Sequence, residues 1–295
     1  MRQPSSLALK KYLIRTAPPQ VRRQLLAWLE ASQDLASRWK QAFAVAGPLP
    51  NFIVIGAQKC GTTYLYDELV QHPHVAAART KEIHYFDINH DRGPGWYRAF
   101  FPRQAGARRQ TGEASPGYLF HPHASRRLQA LVPAAKLIVL LRNPIERAYS
   151  HYHHEVRLGY ETLSFPEAIQ QEASRLSGEM VKLRANEHYQ SAALRHHSYL
   201  ARGVYVDQLA EWREYFPPEQ MLILQSEAFQ CDPVGTLGEV VDFLGLPAWQ
   251  PAQRPAKVFP YPKLDPDLRK RLASYFAPHN ERLYAYLGVN YGWEH

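Results

Sequence analysis

The stretch Phe52-Ile-Val-Ile-Gly-Ala-Gln-Lys-Cys-Gly-Thr-Thr63 joins an apolar run to a glycine-bounded turn and then to the start of a helix. Glycines in such a turn let the backbone bend closely around an anion. The first amides of the following helix point toward that anion, and the helix dipole adds positive potential. The sequence therefore predicts a phosphate cradle formed by Lys59 together with the amides of Gly61, Thr62 and Thr63.

The position of Lys59 argues against a nucleoside triphosphatase. The Walker pattern places lysine directly after its second glycine and then Ser or Thr. Here Thr62 follows Gly61, and Lys59 lies inside the turn. The cradle therefore favours a phosphate-like anion other than a metal-bound triphosphate.

A second strand-turn-helix unit follows at Lys136-Leu-Ile-Val-Leu-Leu-Arg-Asn-Pro-Ile-Glu-Arg-Ala-Tyr-Ser150. In a magnesium-dependent P-loop enzyme one apolar strand ends in an aspartate that helps to hold the metal, but this strand ends in Arg142. A guanidinium is a forked donor suited to phosphate, and the Ser150 hydroxyl can add another hydrogen bond. Two anion sites without a carboxylate placed for magnesium predict one ligand with phosphate-like groups at both ends and no required metal.

The remaining pattern alternates strands with helices, which predicts an α/β fold: a P-loop-like, three-layer arrangement with a central, mostly parallel sheet flanked by helices. The ligand should lie beyond the carboxyl ends of the strands. Two segments of weak periodicity, 79–121 and 174–200, are predicted to be acceptor-facing loops. The predicted strands are 52–55, 75–78, 136–141 and 221–224, and the predicted helices are 62–71, 144–157, 203–215, 233–244 and 265–287.

Residues 1–46 have a helix-like apolar spacing with basic residues between, and Pro48 and Pro50 end the pattern. We expect an N-terminal helical extension over 1–46 and one main domain over 47–295. The extension either packs on the main domain or presents a basic amphipathic surface to a membrane or a partner.

Composition limits the class of protein. The chain has 295 residues, 45% of them hydrophobic, enough for one substantial core. No run approaches the roughly 20 apolar residues of a membrane span, and no signal-peptide core is visible. We therefore expect a soluble, cytoplasmic protein with no transmembrane segment and no disulfide between Cys60 and Cys231.

The net charge of +8 favours an anionic ligand. The basic residues are dispersed, and no nucleic-acid-binding signature accompanies them, so no nucleic-acid partner is predicted. The sequence leaves the oligomeric state open.

Together the two anion sites resemble those of sulfotransferases that use 3′-phosphoadenosine 5′-phosphosulfate (PAPS). The resemblance is to the heparan-sulfate-type carbohydrate sulfotransferases and their bacterial relatives in particular. Gly56 to Thr63 looks like the 5′-phosphosulfate loop, and Leu141 to Ser150 looks like the 3′-phosphate element. Similar segments in between and beyond extend the resemblance over about 50 to 290: Lys81-Glu-Ile-His-Tyr-Phe-Asp87, Gly95-Trp-Tyr97, Phe101-Pro102, Gly112-Glu-Ala-Ser-Pro-Gly-Tyr118, Tyr275-Phe276 and Asn280.

The resemblance implies roles for individual residues. Lys59 would stabilise charge on the leaving side of the sulfuryl group. Glu82 would be the general base, and His84 would either orient Glu82 or serve as the base itself. The donor-binding set is Lys59, Cys60, Gly61, Thr62, Thr63, Arg142, Ser150 and Lys257, and the acceptor-binding set is Glu82, His84, Glu113, Ser115 and Tyr118.

The sequence also departs from its relatives. Glu113-Ala-Ser-Pro116 lacks the lysine that many heparan-sulfate enzymes carry there, and Lys257-Val-Phe replaces a Lys-Gly-Arg type of loop. Either Lys257 or Lys263 is expected to close over the donor. The histidines at 151, 153, 154, 196 and 197 lack a zinc-site pattern, which favours helix surface or acceptor contacts over metal binding.

The predicted function is metal-independent, in-line transfer of a sulfuryl group from PAPS to a hydroxyl or amine, with a carbohydrate as the first choice of acceptor. A small molecule, a lipid or a protein tyrosine are the other acceptors considered. Two alternative functions from other classes of protein stay open at this point. One is a P-loop kinase or nucleotidase, and the other is a catalytically silent protein that keeps the nucleotide-binding fold.

Overall fold

The computed structural model describes residues 47–102, 110–252 and 261–293, together with positions 18 and 21. Apart from those two positions, the predicted helical extension over 1–46 lies outside the described residues, as does Lys257. The division of the chain at residue 47 stays a prediction.

A central sheet of five strands confirms the predicted α/β fold. The strands lie in the order β2-β3-β1-β4-β5, and every neighbouring pair is parallel. Their carboxyl ends therefore meet at one edge of the sheet, where the two predicted anion sites begin. The strands are β1 Phe52–Gly56, β2 Val75–Ala77, β3 Gln110–Ala114, β4 Lys136–Leu141 and β5 Met221–Gln225.

Helices flank this sheet, and in the described ranges four short 3₁₀ turns lie between neighbouring elements. None of the helices in the described ranges is both long and apolar enough to cross a membrane. The α-helices are α1 Thr62–Leu69, α2 Gly93–Arg98, α3 Ala124–Leu131, α4 Pro144–Leu158, α5 Phe165–Leu176, α6 Glu179–Ala185, α7 Ala192–His196, α8 Tyr205–Arg213, α9 Ser226–Cys231, α10 Pro233–Leu244 and α11 Pro266–Leu287.

The two predicted anion units form because their sequences specify a buried strand followed by a capped helix. All five residues of β1 are buried, and Val54 lies between Ala114 of β3 and Ile138 of β4. After β4, the Asn143 side chain accepts hydrogen bonds from the first amides of α4, and Pro144 occupies the first turn. The cap fixes where α4 starts relative to the end of β4.

The structure corrects the prediction that 79–121 and 174–200 are loops. Segment 79–121 contains α2 and the strand β3, and segment 174–200 contains α6 and α7. Strand β3 has the sequence Gln-Thr-Gly-Glu-Ala, so it lacks the apolar run that marks a buried strand. Its polar side chains are buried because they find partners, such as the Thr111 hydroxyl on the Ala76 carbonyl at 2.8 Å.

The core has two parts. The larger surrounds the sheet and its flanking helices. The smaller joins α4, α5 and α11 through side chains that include Ile145, Phe165 and Phe276. Helix α4 is thus packed on its far side while its first turns lie at the edge of the sheet.

Candidate active site

The turn after β1 presents free backbone donors. Gly61 has φ of 93°, a left-handed conformation that suits glycine, and α1 starts at the next residue. Within the described part of the chain, no hydrogen bond is found for the amides of Gly61, Thr62 or Thr63. An Nη1 N–H of Arg142 donates to the Lys59 carbonyl at 3.3 Å, which brings the two predicted anion sites together.

Lys59 lies in this turn, and the charges of Glu155 and Glu82 act on its ammonium without forming an ion pair with it in the described ranges. Among the described residues, no ion pair or hydrogen bond of its ammonium is found. Burial and the nearby Arg157 charge lower the pKa of Lys59 to about 8. A partly buried, unpaired ammonium beside free amides fits a ligand that carries negative charge.

Glu82 and His84 form a chain of charged hydrogen bonds with Asp87 and Lys81. His84 Nδ1 lies 2.8 Å from Asp87 Oδ2, and His84 Nε2 lies 3.3 Å from Glu82 Oε2. The Lys81 ammonium donates to Glu82 Oε1 at 3.1 Å and to the Thr63 hydroxyl at 2.8 Å. Lys81 therefore connects the Glu82 carboxylate to the start of α1.

These contacts set opposite charges on Glu82 and His84. Burial raises the pKa of Glu82, but the hydrogen bond from His84 and the charge of Lys81 outweigh it and lower the pKa to about 2. Burial lowers the pKa of His84, but Asp87 and then Glu82 raise it to about 10. At neutral pH the pair is a carboxylate held by an imidazolium.

Three described residues other than glycine have positive φ: Lys59 at 72°, Glu82 at 60° and His84 at 54°. They are the three residues that the sequence predicted to be catalytic. Left-handed backbone is uncommon for such residues and concentrates at functional sites.

The predicted acceptor contacts Glu113, Ser115 and Tyr118 are all buried, which argues against direct contact with an acceptor. The Glu113 carboxylate accepts hydrogen bonds from Tyr97 and Tyr118 at 2.7 and 3.0 Å and from Ser115 at 2.6 Å. Ser115 and Tyr118 in turn accept from the backbone amides of His84 and Tyr85. This network lies beneath the segment that carries Glu82 and His84 and fixes its path.

The other predicted donor contacts differ in their surroundings. Cys60 offers no free group, because its amide donates to the Ala57 carbonyl and its sulfur lies 3.8 Å from the Tyr205 hydroxyl. The Ser150 hydroxyl lies 3.3 Å from that of Tyr261, and Lys263 is exposed beyond it.

A cleft of about 230 Å³ opens beside Glu82, His84 and Asp87, and we call it the Glu82 cleft. Its other walls come from α4, from the 3₁₀ turn after α7 and from α7 itself. Sequence reasoning did not assign a role to Glu155 or Arg202, which line it. No local motif marks them, since their placement depends on how distant segments pack.

The two histidine runs meet at the Glu155 carboxylate. His151 is fully buried on α4 and His196 lies on α7, and both approach the Glu155 carboxylate, at 3.3 and 2.9 Å. In the ranges that the structure describes, no group of three or more His, Cys, Asp or Glu side chains is arranged to hold a metal ion.

This combination of a parallel sheet, an anion turn and a charged cleft defines an α/β group-transfer enzyme. Residues 49–258 match the sulfotransferase domain family, and the chain therefore belongs to that family. The family assignment decides against the kinase and nucleotidase alternative.

Individual relatives agree with this assignment. Heparan sulfate glucosamine 3-O-sulfotransferase 6 of Homo sapiens is 31% identical, with 83% of this chain and 73% of that protein covered. The membrane-associated sulfotransferase kil1 of Dictyostelium discoideum is 29% identical, with 83% of this chain and 67% of that protein covered.

A solved structure supports the fold. The crystal structure of a sulfotransferase from Alicyclobacillus acidocaldarius is 32% identical and has a TM-score of 0.69. The match covers 84% of this chain and all of that one. The chain is therefore a sulfotransferase that resembles the heparan-sulfate type.

Proposed function

We propose that this sulfotransferase moves a sulfuryl group from PAPS to a hydroxyl or amine of a carbohydrate, without a metal. The observation that carries the proposal is the unpaired Lys59 ammonium beside three free amides, with the Glu82 carboxylate in the adjoining cleft. The relatives named for heparan sulfate favour a carbohydrate acceptor.

The donor would lie across the two anion sites. The amides of Gly61, Thr62 and Thr63 and the Lys59 ammonium would hold the 5′-phosphosulfate. Arg142, which contacts the same turn, and Ser150 on α4 would hold the 3′-phosphate. A lysine at 257 or 263 closing over the donor stays a prediction of the sequence.

Transfer then needs one proton acceptor and one stabiliser of the leaving group. The acceptor oxygen loses its proton to Glu82 and forms a bond to sulfur. The bond from sulfur to the 5′-phosphate oxygen breaks, and its electron pair stays on the phosphate beside Lys59. Because the pKa of His84 is raised to about 10, we assign His84 the role of orienting Glu82 and Glu82 the role of the base.

The test compares the stabilisation of the protein by ADP, by ATP and by PAP, the product that PAPS leaves after sulfuryl transfer, each with and without Mg²⁺. Selective binding raises the melting temperature, by linkage worth about 2.7 kcal/mol at 100 times the Kd. We expect PAP to stabilise more than ADP, with no dependence on Mg²⁺. A preference for ATP with Mg²⁺ would contradict the proposed donor.

The second half of the test is transfer of radiolabelled sulfate from PAPS to heparan sulfate, to 4-nitrophenol and to a tyrosine peptide. Labelled heparan sulfate supports the carbohydrate acceptor. Label on the phenol alone would instead indicate a small-molecule acceptor, and label on the peptide alone would indicate a protein tyrosine. PAP binding with no transfer to any acceptor would identify a silent nucleotide-binding protein.

A cytoplasmic location is part of the same proposal and rests on the sequence alone. One relative is named as membrane-associated. Fractionation of cells that express the full chain tests it: recovery in the soluble fraction supports the proposal, and recovery in washed membranes overturns it.

A further inference from the structure

The lining of the Glu82 cleft also contains a second carboxylate-histidine pair. Glu155 on α4 and His196 on α7 both line the cleft, and His196 Nδ1 lies 2.9 Å from Glu155 Oε2. The proposed reaction already has a base and a leaving-group stabiliser, and neither role uses this pair.

The orientation of His196 is fixed from two sides. Glu155 is ionised, because its contacts with His151 and His196 outweigh its burial and lower its pKa to about 2. An ionised carboxylate only accepts hydrogen bonds. The Nδ1 atom that contacts it must therefore carry the ring hydrogen and donate it. The ring of Tyr160 stacks on the imidazole at 3.8 Å between centroids and 16° between planes.

The remaining ring nitrogen is free for a ligand. Among the described residues no hydrogen bond of His196 Nε2 is found, and the side chain is 14% exposed at the cleft. Neutral imidazole accepts at Nε2, whereas imidazolium donates. A hydroxyl group does both, so it is a suitable partner in either charge state of His196.

We propose that His196 Nε2 hydrogen-bonds a second hydroxyl of the acceptor and that Glu155 positions His196 for this contact, an inference that rests on the proposed function. An acceptor with a single hydroxyl would use it at Glu82 and have none left for His196. A polyhydroxylated acceptor supplies both groups. Apolar side chains in the same cleft, including Phe120, Leu158 and Leu194, suit the C–H faces of a sugar ring.

His196→Asn isolates the contact. The amide nitrogen of asparagine can replace Nδ1 against Glu155, while Nε2 is removed. The matched control is His197→Asn, because His197 is adjacent in sequence and faces its own carboxylate, with Nδ1 3.4 Å from Glu161 Oε2, but does not line the cleft.

Binding of a heparan sulfate oligosaccharide to the PAP-loaded protein is measured directly, so the result does not require turnover. We expect His196→Asn to weaken this binding about tenfold, the effect of one lost hydrogen bond. PAP affinity and transfer to 4-nitrophenol should not change, and His197→Asn should leave all three unchanged.

A double-mutant cycle tests the positioning role of Glu155. Glu155→Gln should weaken saccharide binding in the wild-type background, because an amide does not fix which imidazole nitrogen carries the hydrogen. In the His196→Asn background the same change should have no further effect. Additive losses would instead assign Glu155 a structural role only.

The proposal is overturned if His196→Asn leaves saccharide binding unchanged, or if it weakens phenol transfer and saccharide binding equally. It is also overturned if the wild-type protein with PAP does not bind the saccharide. Transfer to 4-nitrophenol in that same preparation would show that the protein is an active sulfotransferase. Such a result would distinguish failure of the His196 proposal from failure of the proposed function.

Discussion

Lys59, Glu82 and His84 are held in left-handed backbone that costs about 1–3 kcal/mol each for such residues. The surrounding structure must supply the free energy that keeps them there. For Glu82 and His84 it does so through hydrogen bonds of their amides: the Glu82 amide donates to the Ala114 carbonyl at 3.0 Å, and the His84 amide to the Ser115 hydroxyl at 3.1 Å. Both partners belong to β3 or the residue after it.

Glu82→Gln tests the base. We expect turnover to fall by about 10² to 10⁴, the usual effect of removing a general base, while stabilisation by PAP is preserved. Initial rates of sulfate transfer and thermal melts with PAP are the measurements. Asp67→Asn, which changes an exposed carboxylate on α1, is the control. Unchanged turnover would move the role to another group.

The lowered pKa of Lys59 predicts that the use of PAPS by the free enzyme depends on pH. Its pKa is lowered to about 8, so the ammonium loses its proton as the pH rises through that value. Because kcat/KM reports the free enzyme, kcat/KM for PAPS should decline above about pH 8. In Lys59→Arg, whose guanidinium stays charged, the decline near pH 8 should disappear, whatever the absolute rate. A wild-type profile that stays flat to about pH 9.5 would exclude this assignment.

Strand β3 is the element that supports the catalytic segment. Its Glu113 is fully buried, which raises the pKa of the carboxyl group, and it binds three hydroxyls. Gly117, just beyond, must lack a side chain, since a Cβ there would lie 2.8 Å from Asp87 Oδ2. The strand therefore stabilises the segment from below, and the glycine admits Asp87 to its contact with His84.

Glu113→Ala should destabilise the protein by roughly 2–5 kcal/mol, because it leaves a cavity and unpaired buried hydroxyls. Glu113→Gln, which keeps the shape and an acceptor oxygen, should cost less than half of that. Urea unfolding gives both free energies. Equal losses of unfolding free energy for the two variants would show that the hydrogen bonds from the hydroxyls do not contribute to stability.

The elements differ in how far the sequence predicts them. Strands β1 and β4 and helix α4 were predicted because apolar runs, glycines and Pro144 mark them locally. Strand β3 was missed because its buried positions are polar and are satisfied only by partners from other segments. Glu155 and His196 were not paired in advance, since 41 residues separate them.

At the scale of the whole molecule, the net charge of +8 should attract an anionic donor. Salt screens this attraction, since the Debye length falls from about 10 Å at 0.1 M to about 3 Å at 1 M. The rise in melting temperature that PAP produces should therefore be smaller in concentrated NaCl. Adenosine, which is uncharged, is the control ligand. If the melting-temperature rises produced by PAP and by adenosine depend on salt to a similar extent, electrostatic attraction is not the cause.

The sequence by itself determined the α/β fold, the anion turn at Lys59, the Arg142 unit and the sulfotransferase resemblance, because each depends on residues that are neighbours in the chain. The tertiary structure alone decided that Glu113 supports the catalytic segment from beneath, that His84 and Lys81 hold Glu82 ionised, and that Glu155 meets His196 in the lining of the cleft. Burial and long-range hydrogen bonds set those charges and contacts, and neither is encoded in local spacing.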